Sequence, residues 1–272
     1  MEIVRSILSA SVQTLLRPFE GHHPLWSLIP ISVLLGLAML WVFRRLSNQE
    51  AIRQTKNRLQ AHLYELRLFV DEPKLIWKAQ VALLRENVRY MALMLLPAAV
   101  MTVPLLLLFA HLEAFYGLSP LEPGQPAIIT VQLNEPLLPG NAAPSLELPE
   151  GIEAETPPVR VLAQRQISWR IRPSRPASGT ARITIGEESA TKSIAAGSGP
   201  RYLSSRRVRS ILDSFLYPGE PRLETGVIES IEVSYPPAEI EGLGLSLHWL
   251  WWLLFLSMGT AFLLRRRFNV QF

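Results

Sequence analysis

The stretch "MALMLLPAAVMTVPLLLLFA", Met91 to Ala110, decides how the chain is read. It carries no Asp, Glu, Lys or Arg and is apolar on every side of a helix. A core helix of a water-soluble protein keeps a polar flank, whereas about 20 apolar residues match the roughly 30 Å hydrocarbon layer of a bilayer. The charge-free run extends from Tyr90 to Leu112, and Leu25 to Phe43 and Leu243 to Leu264 share its character. Hydrophobic residues make up 49% of the 272, gathered in blocks rather than spread at the period of a globular core. Three transmembrane helices are therefore expected, at 25–43, 90–112 and 243–264.

Ahead of the first span, Ile3, Val4, Ile7, Leu8, Val12, Leu15 and Leu16 recur at helical spacing, and Pro18 follows. This pattern lacks the continuous apolar core of a signal peptide and predicts an amphipathic interfacial helix within an outer tail, residues 1–24. The absence of cysteine excludes disulfides, thiolate catalysis and cysteine-based zinc sites.

Charge orients the chain. Arg44 and Arg45 follow the first span, Arg85 and Arg89 precede the second, and Arg265, Arg266 and Arg267 follow the third. Basic flanks mark the cytoplasmic side, so the N-terminus is expected outside and the C-terminus, with the tail 265–272, inside, in a bacterial inner (plasma) membrane. Trp26, Trp249, Trp251 and Trp252 are then expected at the outer interface and Trp41 at the inner one. Residues 113–242 form the outer segment. Their twelve basic residues do not oppose this orientation, because loops longer than about 60 residues cross largely regardless of charge. From Ser119 onward, "AIITVQL", "QISWRIR", "ARITIG" and "VIESIEVSY" alternate with period two between Pro- and Gly-rich turns. That patterning predicts an inserted, mainly-β, sandwich-like extracytoplasmic domain. "SSRRVRSILDSFL" differs, with Val208, Ile211, Leu212 and Phe215 at helical spacing behind a serine cap, and predicts one helix at the sheet edge.

Residues 44–89 predict a cytoplasmic antiparallel helical hairpin. Ile52, Leu59, Leu63, Leu66 and Val70 form one apolar seam, and Trp77, Val81, Leu84 and Val88 form another. Between them Asp71, Glu72 and Pro73 stop the chain and restart it as a helix. The segment holds ten basic and five acidic residues, a net of +5. Two readings stand open: a solvated coiled coil whose charge follows topology, or a docking element using Arg53, Arg58, Lys74 and Lys78 against an anionic partner.

"NRLQAHLYELRLFVDEPKLIWKAQVALLRENVRYMALMLLPAAVMTVPLLLLFAHL" resembles the cytoplasmic hairpin and following span of the YidC/Oxa/Alb membrane protein insertase superfamily. The resemblance rests on the turn Asp71, Glu72, Pro73, Lys74, on Asn87 near the end of the second hairpin helix, and on Pro97 and Pro104 in the span. Three spans with an outside N-terminus make the chain most similar to the short branch of that superfamily, with an added extracytoplasmic β domain. The resemblance implies insertase or membrane-chaperone activity. It implies as partners membrane lipids, nascent or delivered membrane-protein segments, a ribosome, and another membrane subunit completing a groove. Ser32, Thr102, Ser257 and Thr260 are the candidate groove residues. Facing one another, they would ease a polar segment through the bilayer; satisfying their own helices' carbonyls, they would only pack.

Enzymatic function is not expected. The five histidines show no ligand spacing, "AAGSGP" lacks the lysine of a phosphate loop, and no nucleophile elbow is present. No catalytic residue, metal or cofactor is assigned. The alternative to an insertase is an envelope binding or scaffold protein, whose β domain recognises a ligand or partner while the spans act as anchors.

Overall fold

The structure, a computed structural model, describes residues 2–46, 48–69, 71–135, 144–224 and 226–268. In chain order the first four helices are α1 (Glu2–Leu16), α2 (Leu25–Leu46), α3 (Gln49–Leu68) and α4 (Pro73–Leu112). The strands β1 (Ala127–Leu133), β2 (Ser145–Glu147), β3 (Ile152–Ala154), β4 (Val159–Val161), β5 (Gln166–Pro173), β6 (Ala177–Ile185), β7 (Glu188–Ala196) and β8 (Arg206–Val208) follow. The chain closes with α5 (Ile211–Leu216), β9 (Ile228–Val233), β10 (Ile240–Gly242), β11 (Leu245–Leu247) and α6 (Trp249–Leu264). It folds as two units, Met1–Leu28 with Leu106–Trp251, and Ile29–Leu105 with Trp252–Phe272.

Among the described residues, two helices are long and apolar enough to cross a membrane, α2 and the helical segment Pro73–Gly117 that contains α4. α4 corrects one expectation. The second hairpin helix does not end near Asn87 but continues through Pro97 and Pro104 to Leu112, making α4 a single helix of 40 residues. Each proline lacks the N–H that would bond back four residues, so the carbonyls of Leu93 and Val100 lose their helical donor while the helix persists. α6 also differs. Residues 243–248, expected to open the third span, instead belong to the β10–β11 hairpin, with Leu243 at φ 51 and Gly244 at φ 78 in its turn, and to the step into the helix. The helix proper has 16 residues, about 24 Å at 1.5 Å per residue.

The hairpin packs on a different side than its pattern suggests. Asn48 caps α3, its side chain accepting from the Ala51 N–H at 3.0 Å. The inward residues of α3 are Ile52 and Thr55, buried, continued by half-buried Leu59, His62 and Leu66. In α4 they are Ala79, buried, with half-buried Leu75, Ile76, Ala82, Leu83 and Glu86. Arg58 reaches Glu86 at 3.6 Å, which fixes the antiparallel pairing. The expected second seam is wrong: Trp77, Val81, Leu84 and Val88 are all exposed, as is Leu63 of the first, and Val70 lies outside the described residues. The reason is geometric: α4 turns Ala79 and Glu86 toward α3, and at about 100° per residue the Trp77–Val88 stripe then falls on the far side of the helix.

The β-bearing unit is built on two antiparallel sheets. One has the order β3-β5-β1-β9-β8, with β4 also paired to β5, and the other is β2-β6-β7. Alternation places Ala127, Ile129, Val131 and Leu133 of β1 inward beside Ile167, Trp169 and Ile171 of β5. Ile183, Ile185 and Ile194 of the second sheet close the same core. A register shift at Gln132/Leu133 lets Ile228 and Ile231 of β9 both face inward, three residues apart, while Ser230, opposite Gln132, is covered by Arg206 on the other side. The helix expected over residues 204–216 is shorter than its pattern: Arg206–Val208 is strand β8, and α5 starts after Ser210, whose hydroxyl oxygen accepts from the Asp213 N–H.

Lys192 takes an inward position on β7 and is fully buried. Its Nζ donates to Glu220 Oε2 at 2.9 Å and to the Ser204 carbonyl at 2.5 Å, so the 204 and 220 loops are pinned to the strand. Burial pulls the ammonium pKa down, and the Glu220 charge opposes that shift.

Two outcomes are expected. Ala79→Arg should unpair α3 from α4 and lower helicity in circular dichroism, whereas Trp77→Arg, on the exposed side, should leave it unchanged. Glu220→Ala should destabilise the sandwich by about 3 kcal/mol, because it strands a buried cation. A folded-state pKa below the unfolded value of about 10.4 costs stability at neutral pH and ceases to do so above it, so that deficit should shrink as pH rises toward 10.4 in chemical denaturation.

Candidate functional site

Within the helical unit, glycine sets the contact between α2 and α6. A Cβ added at Gly36 would lie 2.7 Å from the Ser257 carbonyl oxygen and 3.2 Å from Thr260 Cβ, so the helices touch nearly backbone to backbone there. Beside that contact α2, α4 and α6 leave a cleft of about 530 Å³, walled by Met39, Phe43, Met101, Leu254 and Met258. Methionine is unbranched and polarisable, so this wall can repack around apolar groups of different shape.

Of the four candidate groove residues, Thr102 and Ser257 line the cleft. Ser32 is fully buried elsewhere on α2, and Thr260 lies against Gly36. The hydroxyls do not make the wall polar. Thr102 Oγ1 donates to the Ala98 carbonyl at 3.0 Å, Ser257 Oγ to Leu254 at 3.3 Å, and Thr260 Oγ1 to Leu256 at 2.8 Å. Each donor is consumed by its own helix, leaving an apolar cleft rather than a shallow polar groove. The sequence reading missed the methionines. Their only signal was recurrence at Met39, Met101 and Met258 within runs otherwise dominated by leucine.

The four candidate docking residues are exposed but differ in surroundings. Arg53 pairs with Glu50 at 3.3 Å with both side chains 59% exposed, a contact worth little in water. Arg58 is the bridge to Glu86. Lys74 and Lys78 have no ion-pair partner among the described residues.

The other unit gathers polar and aromatic side chains at its helix ends. Trp249 Nε1 donates to Glu113 Oε2 at 2.7 Å, and its ring meets Phe109 edge-on at 6.0 Å. Ser27 Oγ and the Tyr116 hydroxyl lie 2.6 Å apart. His111 Nδ1 donates to the Leu107 carbonyl at 2.8 Å, and its Nε2 lies 3.3 Å from Ser9 Oγ. Trp249 and Trp252 are buried, while Trp26, Trp41 and Trp251 are exposed. α1 docks on this unit through Ser9 and Leu16, both buried. Between α1 and β7 lies a cleft of about 580 Å³ whose lining includes Gln13, Arg17, Glu20, Arg201, Tyr202 and Tyr235. Burial pushes the Tyr235 hydroxyl up to about 12 and Tyr202 well above the ordinary phenol range. Neither phenol is a base at neutral pH, and no group of metal-ligating side chains occurs among the described residues.

Comparison with protein-family models, with curated proteins and with solved structures returns no match to this chain.

Gly36→Val should force α2 from α6 at a cost of about 1–3 kcal/mol, the usual range for overpacking. A lowered thermal midpoint of the detergent-solubilised chain, with the Trp169 environment of the sandwich unchanged below it, is the expected reading.

Proposed function

We propose that the protein is a membrane protein insertase or membrane chaperone of the YidC/Oxa/Alb type, in which three helices receive an apolar segment and ease it into lipid. The observation that carries this reading is the methionine-walled cleft among α2, α4 and α6. A wall without free hydrogen-bond donors suits an apolar segment arriving edge-on better than a charged one, since an uncompensated charge costs about 2.5–3.5 kcal/mol at a bilayer centre. The basic hairpin of the same unit supports the reading by offering exposed Lys74 and Lys78 to an anionic partner. In this proposal α2, α4 and α6 are the three spans. The short α6 reaches across by virtue of its flanking residues, the N-terminus lies outside, and the sandwich is extracytoplasmic.

The second reading is an envelope scaffold or binding protein, and it is favoured by the cleft at Arg17 and Arg201 in the β-bearing unit. The two separate by experiment. Ala98→Phe with Ala261→Phe fills the helical cleft and should reduce, several-fold, insertion of a reporter segment of about 20 apolar residues into vesicles holding the purified chain. Arg17→Ala with Arg201→Ala should leave insertion unchanged. If the filled cleft inserts normally and only the arginine pair matters to the cell, the scaffold reading replaces the insertase.

A further inference from the structure

We infer that the exposed apolar stripe of α4, from Trp77 to Leu95, is the docking seam for one helix of a different polypeptide, a helix that runs from the aqueous side into the membrane and bears acidic residues along its aqueous part. The inference rests on the proposal that residues 90–112 cross the membrane. Trp77 is 70% exposed, Leu84 65%, Val88 60% and Leu95 68%, and Val81 and Met91 between them are exposed as well. These six residues advance in steps of four, three, four, three and four. That averages 3.6 residues, the α-helical period, so the stripe stays on one side of α4 along its whole length, as a docked helix requires. The stripe lies opposite the packed side of Ala79 and Glu86, so the hairpin itself leaves it uncovered.

Three occupants compete for such a stripe, and charge and geometry separate them. Lys74, Lys78, Arg85 and Arg89 run beside it in steps of four, seven and four, all exposed. A second copy of this chain would set the same cations against them, a like-charge juxtaposition that interfaces avoid. The bilayer surface fits poorly too. α4 contains no proline between Pro73 and Pro97, so nothing in this stretch breaks the helix to lay its aqueous part against headgroups. Trp77 lies eleven residues before Val88, about 16 Å further along an uninterrupted helix, beyond the reach of acyl chains. A helix of another protein with acids flanking its own apolar seam satisfies both constraints. It covers Trp77 to Val88 in water and follows Met91 and Leu95 into lipid.

The test places a benzophenone amino acid singly at Trp77, Leu84 or Val88, and as controls at Asn57 or Gln60 on the exposed side of α3, in the full chain in its own membranes. Adducts are mapped by peptide mass spectrometry. The three stripe positions should react with one segment of one other protein, a segment with Asp or Glu at three- or four-residue spacing ahead of an apolar run, and the controls should not. Reversing Lys74, Lys78 and Arg85 to Glu should lower adduct yield about tenfold at low salt, as expected for three exposed pairs of about 0.5 kcal/mol each. Adducts to lipid alone, to a second copy, or to a segment without acids would overturn the inference, as would their absence at all three positions or indifference to charge reversal. Retention of the same samples through an alkaline wash reports membrane crossing separately, and the reporter-insertion assay reports the insertase reading, so each failure is distinct.

Discussion

Glu113 and Trp249 sit 136 residues apart and meet at 2.7 Å, and the β-bearing unit depends on that meeting. A domain inserted between two helices must bring its entry and exit together. Here the entry is a single π-helical turn, Glu113–Gly117, that follows α4 and buries Phe115 and Tyr116, while the exit is the first turn of α6. The carboxylate accepts the indole N–H, and backbone bonds extend the closure, from the Ser119 N–H to the Pro236 carbonyl at 2.9 Å and from the Ala238 N–H to the Gly117 carbonyl at 2.9 Å. Gly117 is required for a packing reason: a Cβ there would collide with the Glu113 carboxyl group. The clasp adds to the direct pairing of the first strand, β1, with β9, which already brings the two ends of the sandwich side by side.

The helical unit is governed by a different constraint, the choice between two apolar sides of one helix. Between Pro73 and Tyr90, α4 presents Leu75, Ile76, Ala79, Ala82 and Leu83 on one side and Trp77, Val81, Leu84 and Val88 on the other. Both stripes have a helical period, and the second is the more hydrophobic by side-chain size. The first is the packed side, with Ala79 buried and Glu86 reaching Arg58. A small residue also marks the contact where Gly36 meets Ser257.

This division bears on function. Closing the small-residue faces leaves large, flexible apolar side chains unoccupied in two places, the methionine-walled cleft and the Trp77 stripe. Apolar surface left open beside a row of cations suits transient contact with other polypeptides, since exposed large apolar patches commonly mark interaction surfaces. The polar chemistry of the molecule is spent structurally by contrast. Lys192 and Glu220 pin loops, and the Ser and Thr hydroxyls of the cleft helices bond their own carbonyls.

What the sequence determined by itself follows from one-dimensional period and composition. Charge-free runs marked α2 and the upper part of α4, and alternation marked β1 at Ala127–Leu133 and β5 from Gln166 with little error, because burial on one face of a strand leaves a direct trace in every second residue. Only the tertiary structure decided the rest. Nothing local distinguishes Trp77 from Ala79 as the packed residue, marks Leu245 as strand rather than span, or reveals Trp249 as a buried donor to Glu113. Each of those outcomes depends on a partner distant in sequence. Period reveals that a face is apolar, whereas shape, charge and chain closure in three dimensions determine what, if anything, covers it.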